Sequence, residues 1–144
     1  MNKVVVIFDC SGSMAEMGHR AVIKNIFMSV RQHYPGIEMY SWNTTIQKIT
    51  KAKEIITEGQ ITAKAWSDFF NDVEQDTKFL LVSDGCWSNQ DTNDICAAIK
   101  GRCIFVCALG QEANFATLGK VRTIGKKVFK VADFPMVLEY LLRM

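Results

Sequence analysis

The hydrophobic positions of this chain follow two patterns, short continuous apolar runs and longer stretches with helical spacing. Continuous runs are typical of strands that are buried on both faces of a parallel sheet. Three of them predict buried strands, at residues 3–8, 78–83 and 103–109. Residues 37–42 and 45–50 predict two more strands, joined by a tight turn at Asn43-Thr44, and a further strand is predicted near residues 127–131.

Helical spacing separates these strands. A first amphipathic helix ends at Pro35-Gly36, and its apolar face consists of Ile23, Ile26, Phe27, Val30 and Tyr34. The second helix has an apolar face of Trp66, Phe69, Phe70 and Val73. Two more helices are predicted over residues 92–100, ending at Gly101, and near residues 114–120. The last helix has Asp133 as its N-cap and Pro135 just inside, and its apolar face consists of Val137, Leu138, Leu141 and Leu142.

The alternation of strands with helices determines the expected fold class. It predicts a three-layer, Rossmann-like α/β fold with a mostly parallel central sheet, one antiparallel hairpin strand and helices on both faces. The 144 residues include no linker or repeat, and residues 1–144 are expected to form a single domain.

Composition and charge narrow the function. The net charge is only +2, so no nucleic-acid partner is predicted. No apolar run is long enough to cross a membrane and no leader is evident, so a cytoplasmic protein without membrane contact is expected. The charge is uneven: residues 1–53 carry +4, residues 54–94 carry −7 and residues 95–144 carry +5. These faces are either simply solvated or form a docking patch for a charged partner.

The five cysteines show no C-x-x-C spacing and are interpreted as reduced thiols used in packing. A zinc site is not supported, because His19 and His33 lie far from any cysteine pair. Cys10 and Cys86 stand beside the candidate site residues, and a redox role for them is left open.

Candidate chemistry gathers where two predicted strands end. The first strand is followed by Asp9-Cys-Ser-Gly-Ser13, and the Lys78–Ser83 strand is followed by Asp84-Gly85. In such sheets, ligands bind at the carboxyl ends of the strands. Two carboxylates and the hydroxyls of Ser11 and Ser13 are hard oxygen donors, which suit Mg²⁺ or Mn²⁺. The sequence therefore predicts a divalent-cation site at this edge.

At these residues the sequence resembles the metal-ion-dependent adhesion site (MIDAS) of von Willebrand factor type A (vWA) domains. The resemblance rests on Asp9-x-Ser11-x-Ser13 after an apolar strand and on Ser83-Asp84-Gly85 after a later one. The hairpin at residues 37–50, the strand ending in Ala-Leu-Gly110 and the Phe129-Lys-Val-Ala-Asp133 segment also fit, so the resemblance covers essentially the whole chain.

One element departs from the family pattern. The family takes a threonine ligand from a loop that opens the second helix, whereas this loop reads Gly59-Gln60-Ile-Thr62. Gln60 aligns with the threonine, and Thr62 is the alternative if the loop is shifted by two residues. Either departure puts the strength of metal binding in question.

The resemblance implies a function without catalysis. Neutral hydroxyl ligands leave the cation strongly electrophilic, so an open coordination position favours an Asp or Glu of a protein partner. The expected protein is an intracellular adaptor in a larger assembly, and the family relation implies a ring-forming ATPase as one candidate partner. Trp87 and His19 are candidates for the partner-binding rim, although Trp87 is also compatible with packing on the domain and His19 with an ordinary surface position.

Two alternatives remain. One is a metal-independent scaffold that binds through its charged faces. The other is a Mg²⁺-dependent phosphatase, since an aspartate that ends a first strand is also found in haloacid-dehalogenase-type enzymes. Those enzymes need a second aspartate two residues later, where this chain has Ser11. No phosphate-binding loop pattern is present, so the chain is expected not to be an enzyme.

Overall fold

A computed structural model describes residues 3–16, 18–122 and 128–144. Six strands form one sheet, and helices cover both of its faces. The strands are β1 Val4–Asp9, β2 Glu38–Trp42, β3 Ile46–Ile49, β4 Lys78–Ser83, β5 Cys103–Ala108 and β6 Phe129–Lys130. The helices are α1 His19–His33, α2 Lys64–Phe70, α3 Asn89–Ala98, α4 Phe115–Val121 and α5 Phe134–Arg143. Short 3-10 turns lie at Gly12–Ala15, Ala52–Glu54 and Val131–Asp133.

Among the described strands the order is β3-β2-β1-β4-β5-β6, in which the β2–β3 pair is antiparallel and the other four pairs are parallel. This confirms the predicted α/β fold with a mostly parallel sheet and one hairpin strand. The buried runs are placed as expected: β4 has the predicted bounds, β1 is shifted by one residue at both ends, and β5 ends one residue earlier than predicted. For the predicted strand near residues 127–131, residue 127 lies outside the described residues, and β6 covers two of the rest.

Alternate residues of each strand build separate cores on the two faces of the sheet. In β1, Val6 and Phe8 pack with α1 and α5, whereas Val5 and Ile7 pack with α2, α3 and α4. Both faces of the central strands are therefore apolar, which is why their sequences are continuous rather than alternating. The polar side chains of β1 and β4 therefore lie at the strand ends.

Two helix predictions need correction at their ends. The second helix ends at Phe70, and the predicted apolar position Val73 lies in the turn that follows. The third helix begins earlier than predicted, at Asn89, because the Ser88 hydroxyl accepts a hydrogen bond from the Asp91 N–H. Asp133 occupies the N-cap position of α5 as predicted, but its side chain makes no capping bond, since the 3-10 turn already brings the chain into the helix.

Candidate functional site

The two candidate loops leave the sheet side by side. Strand β1 pairs in parallel with β4, with Phe8 opposite Val82. The loop that starts at Asp9 and the loop that starts at Ser83 consequently emerge at the same edge. Parallel pairing of two buried strands is thus sufficient to bring the predicted residues together.

Asp9 is the buried centre of this edge, with no exposed surface. Its Oδ1 accepts a hydrogen bond from the Ser11 N–H at 2.9 Å. Its Oδ2 accepts two, from the Ser83 hydroxyl at 2.6 Å and from the Trp87 indole N–H at 3.1 Å. The carboxylate is therefore held by donors from three positions on both loops.

The charge state of Asp9 reflects competing influences. Burial raises the pKa of Asp9 above its ordinary value of 3.8, because removal of water penalises the charged form. Hydrogen bonds from Ser83 and Ser11 lower this pKa, and the negative charge of Asp84 raises it. A cation at this edge would oppose both influences that raise the pKa of Asp9.

The two serines of the first loop converge. The Oγ atoms of Ser11 and Ser13 lie 3.2 Å apart, with Ser11 buried and Ser13 partly exposed. Between them, the Gly12 N–H donates to the Gly59 carbonyl at 2.9 Å. A Cβ at Gly12 would meet that carbonyl oxygen at 3.5 Å, so the loop carrying Gln60 lies directly against this turn.

Asp84 stands at the end of β4 and is 3 % exposed. Its Oδ1 accepts a hydrogen bond from the Cys86 N–H at 3.0 Å, and its carbonyl accepts one from the Asn114 N–H at 2.8 Å. Gly85 follows with a φ of +70°, and a Cβ there would lie 2.8 Å from Leu118 Cγ. Only glycine fits this left-handed turn against α4 without a clash.

Gln60 and Thr62, the two candidates for the additional oxygen donor, differ in their contacts. The Thr62 hydroxyl donates to the Thr44 carbonyl at 3.0 Å and accepts from the Ala65 N–H at 3.2 Å, at the start of α2. That hydroxyl is already engaged in holding the loop and the helix. Gln60 is exposed and lies next to Gly59, which contacts the serine turn.

Of the two predicted rim residues, Trp87 is half-buried and His19 is buried. Trp87 is half-buried, with its ring edge-to-face on Trp42 at 5.4 Å and its N–H on Asp9. The alternative in which Trp87 packs on the domain therefore describes its position.

His19 was expected at the surface but is buried, and this expectation is corrected. Gly110, at a φ of +97°, leaves the space that the imidazole fills: a Cβ there would lie 2.5 Å from Nε2. The His19 Nδ1 is buried without a hydrogen-bond partner among the described residues.

Sequence reasoning missed one residue that holds the site together. The Asn43 side-chain amide donates to the carbonyls of Cys10, at 3.0 Å, and Glu58, so it ties the first loop to the loop before α2. The sequence pattern places Asn43 only in the hairpin turn. Asparagine is common in turns for local reasons, so its sequence context contains no signal of this longer-range role.

The thiols do not form a second centre. The five cysteines are free, and Cys10 is buried whereas Cys86 is exposed. Burial raises the pKa of Cys10 to about 12, and burial together with neighbouring Asp84 raises that of Cys86 to about 11.

Within the described ranges, no three His, Cys, Asp or Glu side chains cluster in a way that could hold an ion. The predicted set contains only two carboxylates, and its other donors are hydroxyls or an amide.

Comparison with known proteins gives no match at the level of sequence families. No family model and no curated protein matches the chain. None of the helices within residues 3–16, 18–122 and 128–144 combines the length and the hydropathy required to span a bilayer.

Solved structures do match. The conserved hypothetical protein BatB from Bacteroides thetaiotaomicron aligns with a TM-score of 0.68 and 11% identity, over 99% of this chain and 98% of that one. An aerotolerance-related membrane protein from Bacteroides fragilis aligns with a TM-score of 0.65 and 11% identity, over the full length of both.

A third match carries a metal in its own site. Proximal thread matrix protein 1 from the mussel byssus, with a zinc-occupied MIDAS motif, aligns with a TM-score of 0.55 and 12% identity over 99% of this chain. The chain spans 44% of the length of that protein. At these identities the likenesses establish architecture alone, and this architecture is the von Willebrand factor type A fold.

Proposed function

We propose that this chain is a protein-interaction domain that holds a divalent cation at the carboxyl edge of its sheet and uses it to capture an acidic side chain of a protein partner. Asp9, Ser11, Ser13 and Asp84 would hold the ion, with Gln60 as the additional oxygen donor. The observation that carries the proposal is the 3.2 Å separation of the two serine hydroxyl oxygens beside two buried carboxylates on adjacent strands.

This donor set fits a small, hard cation. Mg²⁺ binds oxygens at 2.0–2.1 Å in an octahedron, so neighbouring ligand oxygens lie about 3 Å apart. The spacing of Ser11 Oγ and Ser13 Oγ is close to that value. Mg²⁺ and Mn²⁺ are the proposed ions, and the zinc in the MIDAS motif of the mussel protein supports a divalent cation in this kind of site.

The electrostatics favour capture of a carboxylate. The Asp9 carboxylate accepts hydrogen bonds from three protein donors, which partly offset its negative charge, and the two serine ligands are neutral. The bound ion would retain positive charge and would attract the Asp or Glu of a partner. An adaptor role in a multi-protein assembly, for which a ring-forming ATPase is one candidate partner, follows from the family resemblance.

A binding role is supported over a phosphatase by the residue two positions after Asp9. A haloacid-dehalogenase-type enzyme needs a general acid at that position, and this chain has Ser11, whose hydroxyl oxygen lies 3.2 Å from that of Ser13. Absence of phosphate-ester hydrolysis with Mg²⁺ present is the expected result of an assay.

The site is tested by adding Mg²⁺ to chelator-treated protein and following thermal unfolding. An ion at a hundred times its Kd stabilises the folded state by about 2.7 kcal/mol, so the midpoint should rise by several degrees. Asp9→Ala should abolish this rise. Asp72→Asn, which alters an exposed carboxylate in the turn after α2, is the matched control and should retain it. No rise in the wild-type protein with millimolar ion would contradict the proposal.

A second candidate function has its own observation. The segment from residue 54 to residue 94 carries −7, and Asp68, Asp72, Glu74 and Asp94 are exposed around α2 and α3. This face would bind a basic partner without a metal. Binding of an oligolysine probe that survives EDTA and disappears with rising salt would support this function, and salt-insensitive binding would contradict it.

A further inference from the structure

Both lone pairs of one carboxylate oxygen at the candidate site are already used. A carboxylate offers about four acceptor positions, two on each oxygen. Asp9 Oδ2 receives the Ser83 hydroxyl at 2.6 Å and the Trp87 indole N–H at 3.1 Å. Oδ1 receives the Ser11 N–H at 2.9 Å. Oδ1 is therefore the oxygen on which Asp9 can still meet a cation or its water ligand.

The indole that occupies Oδ2 is firmly placed. Its ring packs edge-to-face on Trp42, which in turn packs on Trp66 with ring centroids 5.3 Å apart. The backbone N–H of Trp87 donates to the Gly85 carbonyl at 2.8 Å, and Ser88 is the N-cap of α3. A tight turn and a helix start thus fix the backbone on both sides of Trp87, and the ring of Trp42 packs against its side chain.

We propose that Trp87 is a specificity-determining residue of the cation site, which reserves Asp9 Oδ2 and restricts Asp9 to contact through Oδ1. This inference rests on the function proposed above. The consequence is selection among ions: the site takes Mg²⁺ or Mn²⁺ in preference to Ca²⁺.

The selection follows from coordination chemistry. Mg²⁺ requires six oxygens at 2.0–2.1 Å in an octahedron, and single-oxygen contacts satisfy it. Ca²⁺ takes six to eight oxygens at 2.3–2.6 Å and uses carboxylates through both oxygens. A hydrogen-bond donor on Oδ2 prevents Asp9 from binding Ca²⁺ through both carboxylate oxygens. The same donor does not weaken the binding of Mg²⁺, which needs only one oxygen of Asp9.

The test compares Ca²⁺ and Mg²⁺ affinities, by calorimetry, in the wild-type chain and in Trp87→Phe. Phenylalanine keeps an aromatic ring against Trp42 but has no N–H, so Oδ2 gains a free lone pair. The Kd for Ca²⁺ should fall by about fivefold or more relative to the Kd for Mg²⁺. Tyr40→Phe is the matched control, because the Tyr40 hydroxyl donates to Glu38 and not to Asp9. The ratio of the two Kd values in this control should equal that of the wild type.

A second measurement uses the wild-type protein alone and does not depend on the variant folding. The three tryptophans give three indole N–H signals in a ¹⁵N spectrum, and sequential resonance assignment identifies the signal of Trp87. That signal should lie downfield, as expected for an N–H bonded to a carboxylate, and should stay there when Mg²⁺ saturates the site.

The outcomes separate this inference from the function on which it rests. Wild-type protein that binds no divalent cation overturns the proposed function. Wild-type protein that binds Mg²⁺, together with an unchanged Ca²⁺/Mg²⁺ ratio in Trp87→Phe, overturns only the role of Trp87. Movement of the Trp87 signal to the position of a free indole on Mg²⁺ saturation overturns it equally, since the indole would then have left Asp9.

Discussion

Two buried charged side chains lie at opposite ends of neighbouring strands, and their surroundings differ in kind. Asp9 closes β1 at the carboxyl edge, and Lys78 opens β4 at the amino edge with 6 % exposure. The Lys78 Nζ donates to the main-chain oxygens of Leu141 at 3.3 Å and Met144 at 3.1 Å, at the C-terminus of α5. The positive charge of Lys78 supplies hydrogen-bond donors to the last carbonyls of α5 and interacts favourably with the negative end of the helix dipole.

The comparison shows that a buried charge alone does not indicate a functional site. Among the described residues, the hydrogen bonds of Lys78 go to main-chain oxygens at the end of a helix, which need donors in any case. Asp9 lies beside a second carboxylate and two converging hydroxyls, which is more oxygen than the fold needs for its own hydrogen bonds. An excess of convergent polar groups, rather than burial, is therefore the physical signal of a binding site.

The largest expected effect comes from removal of the structural charge. Lys78→Ala should lower the free energy of unfolding by about 2–3 kcal/mol, because main-chain oxygens at the end of α5 lose a charged donor and the aliphatic stem leaves a void. Urea denaturation measures this loss, and Lys78→Met, which keeps the stem, should lose less. Both variants should retain the Mg²⁺-induced rise in melting temperature, and its disappearance would show that the two edges are not independent.

A smaller effect distinguishes the two candidate ligands in the loop before α2. Thr62→Ala removes the hydroxyl that accepts from Ala65 N–H and should cost about 0.5–2 kcal/mol of stability, as other losses at helix starts do. Gln60→Ala alters an exposed side chain and should change stability by no more than about 0.5 kcal/mol.

Cation affinity should show the reverse order, with a weaker Mg²⁺ response in Gln60→Ala and an unchanged one in Thr62→Ala. Calorimetric titration of both variants provides the measurement. An equally weakened response in Thr62→Ala, at a temperature where that variant remains folded, would assign the ligand role to Thr62.

The parts of the structure predicted from the sequence are those determined by local pattern. Strand β4 could be placed correctly because a continuous apolar run between polar residues has few other structures available. The neighbouring positions of Asp9 and Asp84 followed from parallel pairing, which requires only that both strands are central. These inferences need no knowledge of individual side-chain contacts.

The parts that were missed depend on residues distant in the chain. The contact between Trp87 and Asp9 joins residues 78 apart, and nothing near Trp87 indicates that its N–H has an acceptor. Burial of His19 depends on the space left by Gly110, on another segment. Single-sequence patterns describe what a residue needs, but they do not identify the distant group that supplies it.

The smallest expected effect is a difference in pH dependence between the two edges. At the amino edge, a hydrogen bond from Lys3 lowers the pKa of Glu38 below its ordinary value of 4.5. At the carboxyl edge, burial raises the pKa of Asp9 above 3.8. Linkage then gives the two residues opposite effects on stability. The stability that Glu38 contributes is present above about pH 4.5 and is lost as the pH falls through its folded pKa. The stability that Asp9 contributes is present below about pH 3.8 and is lost as the pH rises through its folded pKa.

Urea denaturation in chelator from pH 3 to pH 7 tests these signs. Glu38→Gln should be less stable than the wild type near neutrality and should approach it at pH 3, although the exposure of this pair keeps the difference small. Asp9→Asn should gain stability relative to the wild type as the pH rises, since an amide has no ionisation to oppose burial. Saturating Mg²⁺ should reduce this gain by stabilising the ionised wild-type carboxylate and should leave the Glu38 difference unchanged. If stability changed with pH in the same direction at both residues, burial would not oppose the ionisation of Asp9. Asp9 would then not differ from a charged residue whose partners all lie within the fold.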